Sequence, residues 1–339
     1  AVSGILDDVR LRGDEAVKEY EAKFDHAALG ELMVSEEEKA EAMAVIDREL
    51  LDAIRLAHDN IHKFHKAQLM SACKVETAPG VVCWQKQLPI ERVGLYIPGG
   101  TAPLFSTVLM LATPAKIAGC SEIVLCTPPM TDGKVNPAIL AAANVVGVDK
   151  VFKIDGTQSV PKVYKIFGPG NQYVMAAKQH VSLHEVAIDM PAGPSEVCVI
   201  ADAESNAEFV AADLLSQAEH GIDSQVLLIS TSEDMIDSVQ QQIELQLAKL
   251  PRREIAMKTL ENSKAVLVSD TDEAIELSNA YAPEHLIIAT ADYERLAEKV
   301  VNAGSVFLGD YACESAGDYA SGTNHTLPTH GYATAYNGV

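Results

Sequence analysis

The chain has 339 residues, 48% of them hydrophobic, enough for two or three domains with sizeable cores. Lys plus Arg number 26 against 48 for Asp plus Glu, a formal net charge of -22, which argues against nucleic acid or an anionic membrane surface as a partner and suits a small cationic substrate. The six cysteines form no CxxC pair and read as reduced core residues of a cytoplasmic protein, and no apolar run is long enough to cross a bilayer.

Residues 1 to about 75 read as a helical layer, with amphipathic patterns over Ile5 to Phe24 and Glu36 to Met70. His58, His62 and His65 fall at i, i+4 and i+7, but with Lys63 and Lys66 interleaved they read as a solvated helix face and not as a metal stripe. Val75 to Pro89 reads as a hairpin carrying the single tryptophan, Trp84. The sequence opens in AVSGILDDVR, within a helix-like stretch, and ends at Asn337-Gly338-Val339 without a closing element, so further residues are expected beyond both ends.

A different texture begins at Val93. The strand Val93 to Ile97, the turn Pro98-Gly99-Gly100-Thr101, a helix from about Leu104 to Ala118 and the strand Glu122 to Cys126 make a βαβ unit. Helices at Pro137 to Val146 and Gln172 to Val181 and strands at Lys150 to Ile154 and Val186 to Met190 extend it. A second train has strands at Glu196 to Ala201, Gln225 to Ser230, Ala265 to Ser269, His285 to Ala289 and Ser305 to Leu308. Its helices are expected at Ala207 to His220, Met235 to Leu250, Glu254 to Asn262, Asp272 to Ala280 and Tyr293 to Ala303. Two similar α/β halves suggest a duplicated architecture with parallel sheets, which place ligands at the carboxyl ends of their strands.

Several polar loops interrupt these trains. In DLLSQAEHGID, 213–223, an apolar helical stripe stops at Gly221, and Gln217 and His220, three apart, stack on one face of the last turn. Imidazole is a good zinc ligand and a carboxamide oxygen a weak one, so the pair needs help from elsewhere to hold a metal. Pro98-Gly99-Gly100 and Gly168-Pro169-Gly170-Asn171 let a backbone approach a phosphate, although no GxGxxG or GxxxxGK[ST] is present. Ala192 to Glu196 joins the halves and puts Ser195 and Glu196 where a cleft lies. Tyr281 to Leu286 places a carboxylate and an imidazole, Glu284 and His285, side by side at a strand start, suited to divide proton transfers. The stretch 309–330 reads as a long functional loop holding Glu314, Asp318, His325 and His330, and Asp318 or His325 could complete a metal site with Gln217 and His220.

Together LYIPGGTAP, KIFGPGNQYV, AIDMPAGPSE, DLLSQAEHG, APEHLII and AGSVFLGDY with ESAGDYASGTNHTLPT resemble histidinol dehydrogenase, in unbroken order over nearly the whole chain. The resemblance implies two related, incomplete Rossmann-like α/β/α domains, as in aldehyde dehydrogenases, with a helical N-terminal layer. It suggests a zinc and substrate domain of 1–95 plus 197–339 and an NAD-side domain of 96–196. It implies one zinc per subunit, held by Gln217, His220 and Asp318; catalysis by Glu284 and His285; and NAD contacts at Tyr96 and Asn171. Substrate contacts fall on Ser195, Gln217, His220, His285, Asp318 and His325. The implied activity is oxidation of L-histidinol to L-histidine with two NAD, by a cytoplasmic homodimer whose active site is shared across subunits.

Three departures from the family pattern accompany the match. Near Asp155 the family's GGAQAIAAL-like segment, with its NAD-contacting glutamine, has no counterpart, since Gln158 aligns with an acidic residue. His184-Glu185-Val186 is short by a few residues. The C-terminal tail, which supplies a last zinc-ligating histidine and a substrate-binding glutamate to the partner subunit, is not among these residues. Deleting a buried strand-loop-helix piece would unfold the sheet, so the natural protein is expected to contain these segments. Two alternatives remain: an aldehyde dehydrogenase-like enzyme with a cysteine nucleophile, for which only Cys313 is placed, and an inactive ligand- or metal-binding homologue, against which the retained Glu284 and His285 argue.

Overall fold

The computed structural model describes residues 2–99, 103–154, 160–190, 192–336 and 338. Each long amphipathic pattern near the amino terminus is cut once. Gly13, with a φ of 60°, separates α1 (Val2–Arg12) from α2 (Asp14–Phe24). Ile46 leaves helical geometry between α3 (Glu36–Val45) and α4 (Arg48–Ala67), where Asp47 Oδ1 caps the new helix by accepting from the amides of Glu49 and Leu50. His65 on α4 departs from the solvated face expected of it: it is buried, with Nδ1 2.8 Å from the Ile61 carbonyl. The hairpin β1 (Lys74–Ala78) and β2 (Val81–Trp84) is antiparallel and exposed on both faces.

The first unit comprises Ala1–Gly168, Ala177–Asp189 and Ala320–Thr323. Its sheet takes strands β3 (Arg92–Tyr96), β4 (Glu122–Thr127), β5 (Lys150–Lys153), β6 (Lys165–Phe167) and β7 (Ala187–Ile188), all parallel, in the order β5-β4-β3-β6-β7. Helices α5 (Phe105–Ala118) and α6 (Pro137–Val146) connect the first three strands, and α7 (Gln172–Ser182) precedes β7. Val9, Ala16 and Val17 of α1 and α2 pack with Val124, Cys126 and Phe152 of this sheet. The N-terminal helices therefore belong with the first sheet, whereas the sequence-based division grouped 1–95 with 197–339; amphipathic helices carry no mark of which sheet their apolar stripe will cover. A buried ion pair closes the sheet's last edge: Lys178 Nζ reaches Asp189 Oδ1 and the Gly168 carbonyl, and Asp189 Oδ2 accepts the Gly168 amide.

The second unit comprises Pro169–Ala176, Met190–Tyr319 and Asn324–Val339. Strands β8 (Glu196–Ala201), β9 (Gln225–Ser230), β10 (Lys264–Leu267), β11 (His285–Ile288) and β12 (Ser305–Leu308) form a parallel sheet in the order β10-β9-β8-β11-β12, the plan of the first sheet repeated. The alternation of β8 distributes its side chains. Val197, Val199 and Ala201 pack with α8 (Ala207–Ala218), α9 (Glu233–Leu247) and α10 (Arg253–Glu261), and Cys198 and Ile200 with α11 (Thr271–Tyr281) and α12 (Tyr293–Ala297). Such strands, buried on both faces, read as continuous apolar runs. α12 stops six residues short of its expected end at Ala303. Among the described residues no helix is long and apolar enough to cross a membrane.

Candidate active site

Because β8 and β11 are neighbours in register, Val197 beside His285, the residues that start these strands meet. The Glu196 amide donates to Glu284 Oε2 at 3.0 Å, and the Glu196 carbonyl lies 3.3 Å from His285 Nδ1. A carbonyl only accepts, so Nδ1 carries the proton and Nε2 presents its lone pair. Nε2 is buried without a hydrogen-bond partner among the described residues. Burial pushes the imidazole pKa down to about 3, leaving His285 a neutral base at pH 7. Burial drives Glu284 the other way, well above the usual carboxylate range, against hydrogen bonds from the Glu196 amide and the Ser195 side chain. Two adjacent groups with pKa values forced apart are the pattern expected where proton transfers are divided.

This pair stands at the start of β11, as its place in the sequence implies, and so at the amino end of the sheet, whereas parallel sheets in general place ligands at the carboxyl ends. Gln217 and His220 approach from the same side, since α8 runs down to the start of β9. The helix ends earlier than Gly221: Glu219 is its C-cap in right-handed geometry, and the His220 amide donates to the Gln217 carbonyl at 3.1 Å. Gly221 takes no positive φ. The expected long loop contains a short helix, α13 (Glu314–Tyr319), whose i, i+4 spacing puts Glu314 and Asp318 on one face. Ligand atoms of His220, Glu314 and Asp318 all lie within 4.8 Å of one another.

These residues fit a cation. Gln217 is fully buried, yet among the described residues neither atom of its carboxamide has a hydrogen-bond partner, and Glu314 Oε2 is buried and equally unpaired. Buried polar atoms are rarely left so without a ligand to meet them. Desolvation raises Asp318 to about 6 against the attraction of His220, and raises Glu314 well above its ordinary value. A positive charge placed among these carboxyls would reverse the shifts. One imidazole, carboxylate oxygens and a carboxamide oxygen form a set compatible with zinc.

The remaining candidates are distributed. His325 is partly buried, and desolvation lowers its pKa to about 4; its charged form would disfavour charge on both His285 and His220, which places it electrostatically close to them. Tyr96 ends β3 in the first unit, at the switch between β3 and β6 where an open sheet offers its ligand crevice. There Gly168, with φ +144°, approaches so closely that a Cβ would stand 2.3 Å from the Tyr96 carbonyl oxygen. The close approach requires glycine at this turn. Asn171, in the second unit, is exposed and caps α7, its Oδ1 accepting from the amides of Tyr173 and Val174. The departures at 155–159, Gln158 included, lie outside the described residues, and β6 was not anticipated. Glu196 and Glu314 were noticed in the sequence but given no role; the one available signal was a carboxylate opening the apolar run EVCVIA, and for Glu314 the four-residue step to Asp318.

The family model for histidinol dehydrogenase matches residues 1–339. Histidinol dehydrogenase from Bacteroides thetaiotaomicron is 65% identical over 348 residues, covering 100% of this chain and 81% of the relative. That alignment is longer than the chain, so the relative carries residues that this sequence lacks. The crystal structure of histidinol dehydrogenase from Elizabethkingia anophelis superposes with a TM-score of 0.96 at 52% identity, covering 100% of this chain and 80% of that one. Betaine aldehyde dehydrogenase from Staphylococcus aureus, at 13% identity and a TM-score of 0.52, covering 91% of this chain and 74% of its own, shares the fold alone. With the match running through every segment that builds the site, the chain belongs to the histidinol dehydrogenase family and is an enzyme of histidinol oxidation.

Proposed function

We propose that the chain converts L-histidinol to L-histidine in two successive two-electron oxidations through a bound histidinal, reducing one NAD in each. One zinc per subunit is held by Gln217, His220 and Asp318, and the protein works as a homodimer with sites drawing on both subunits. The observation that carries this reading is the buried His285 Nε2, without a hydrogen-bond partner among the described residues, on a ring whose Nδ1 faces the Glu196 carbonyl, beside a carboxyl of raised pKa. When bound, zinc would orient the substrate's imidazole and amino nitrogens, and NAD would accept the two hydrides.

His285 Nε2 takes the hydroxyl proton as the carbinol C–H bond breaks. The charge gained by the ring faces Glu284 Oε2 and Glu314 Oε1, 3.7 and 3.9 Å from Nδ1. Glu284 takes a proton from the water that adds to the aldehyde carbon; a cation held among the neighbouring carboxyls would favour its ionised form. The resulting hydrate loses its own C–H hydrogen in the second oxidation. One alcohol, one water and two NAD+ give one carboxylate, two NADH and three protons. Keeping histidinal bound shields a reactive aldehyde. Ser195 and His325 complete the substrate contacts, and Tyr96 and Asn171 those of NAD. The six unpaired cysteines fit a cytoplasmic setting.

The test is the amount of NADH formed per histidinol consumed by the zinc-loaded enzyme, alongside Glu284→Gln. Two NADH are expected from the unaltered protein. In Glu284→Gln, histidinal oxidation should fall by about 10²–10⁴-fold, while the first oxidation survives. A single NADH from the unaltered enzyme would sink the four-electron reading.

A further inference from the structure

We infer that Glu196 is a positioning residue that latches the C-terminal segment 324–330 to Glu284 and His285, so that the seating of this segment sets the geometry of proton transfer. The inference rests on the roles proposed above for those two residues.

The main chain of Glu196 holds both members of the pair at once. Its amide donates to Glu284 Oε2 at 3.0 Å, and its carbonyl faces His285 Nδ1 at 3.3 Å. A small rotation of the backbone at this residue would disturb the carboxyl and the imidazole together. The side chain decides where that backbone sits. It is 7% exposed, and Oε1 accepts the His330 amide at 3.0 Å, while Oε2 is buried without a hydrogen-bond partner among the described residues. An apolar side chain opening β8 would be buried more cheaply; what the carboxyl adds is a directed tie to a segment 134 residues away.

The far end of the tie is itself held in an uncommon conformation. His330 has a φ of 54°, a left-handed geometry that L-residues rarely adopt. Two further contacts secure it. Thr329 Oγ1 accepts the Gly193 amide at 2.8 Å and lies 3.1 Å from His330 Nδ1. The His330 ring covers Gly193 so closely that a Cβ there would stand 3.2 Å from Cε1. The turn at 193–196 and the residues 329–330 are thus joined at three points, and the segment so fixed carries Asn324 and His325.

The experiment compares Glu196→Ala and Glu196→Gln in the zinc-loaded enzyme by kcat, KM for histidinol and the pH profile of kcat. Glu196→Ala should lower kcat at least tenfold with KM changed less than threefold, because displacement of reacting groups acts mainly on the rate. Glu196→Gln keeps the acceptor for the His330 amide, so it should restore most of that loss and keep the unaltered shape of the pH profile. Glu196→Gln as slow as Glu196→Ala would overturn the inference by making the carboxyl itself a proton-transfer group. Unchanged kcat in Glu196→Ala would overturn it by removing the latch. Should Glu196→Ala fail to fold, Thr329→Val loosens the same junction and should lower kcat in the same sense; an unchanged kcat there is equally decisive. Glu284→Gln, measured in parallel, separates the two levels: a fully active Glu284→Gln refutes the assigned chemistry, whereas an impaired Glu284→Gln beside a fast Glu196→Ala refutes the latch alone.

Discussion

Gly304 lies against Glu284 so tightly that a Cβ on it would stand 2.6 Å from the Glu284 carbonyl oxygen and 3.1 Å from Leu327 Cβ. That same carbonyl accepts the Ser305 amide at 2.9 Å, at the starts of β11 and β12. Gly304→Ala must therefore push the opening of β12 away from the Glu284 main chain, and so shift the carboxyl proposed to act in catalysis. We expect a loss of about 1–3 kcal/mol in stability and a fall in kcat larger than any change in KM. Denaturant unfolding with steady-state kinetics reads both; a stable, fully active Gly304→Ala would mean that β12 can yield without moving Glu284.

Gln217→Leu separates a ligand from a structural amide. The carboxamide is fully buried and has no hydrogen-bond partner among the described residues, so replacing it with an apolar group of similar size should leave the metal-free protein as stable or more so. Zinc affinity, measured by competition with a chelator, should fall at least tenfold. A metal-free Gln217→Leu that melts well below the unaltered protein would show that the amide has a structural role instead.

Acid stability should depend on Glu122. Lys150 and Arg92, at 2.7 and 2.5 Å, hold its carboxyl below the usual range. A folded pKa lower than the unfolded one gives stability that is fully present above the unfolded value, about 4.3, and is lost as pH falls through the folded value. Glu122→Gln should therefore be less stable at pH 7 by roughly 1 kcal/mol. The gap should close below that window, where the wild-type carboxyl is also protonated. Urea midpoints across pH 3 to 7 test this, and a gap that persists in acid would point to packing, not charge.

Much of the architecture was legible because parallel strands buried on both faces write unbroken apolar runs, as in EVCVIA and QVLLIS. The strand β6 escaped because three residues, Lys165–Phe167, are too few to show a period. α13 escaped because Gly309 to Gly322 is full of small and polar residues, which hide a helix of six. The breaks at Gly13 and Asp47 were written in the sequence as a glycine and a capping aspartate, but the amphipathic pattern continues across both. Of the site, the residues on recognisable motifs were placed in advance, and His220, Asp318, Glu284 and His285 do come together. Glu196 and Glu314 were not assigned, because burial of a carboxylate depends on neighbours distant in the chain. The place of Glu284 and His285 at a strand start was legible, but the general rule that ligands lie at the carboxyl ends pointed to the other edge, since strand direction alone does not say which end a returning segment such as 309–330 will cover.

The two sheets follow one strand order, yet the residues singled out lie at different ends of their strands: Tyr96 at the end of β3 in one, Glu196 and His285 at the first positions of β8 and β11 in the other. No strand serves both. Libraries aimed at altered cofactor preference can accordingly randomise the turns after β3 and β6, and libraries aimed at new alcohols the turns before β8 and β11.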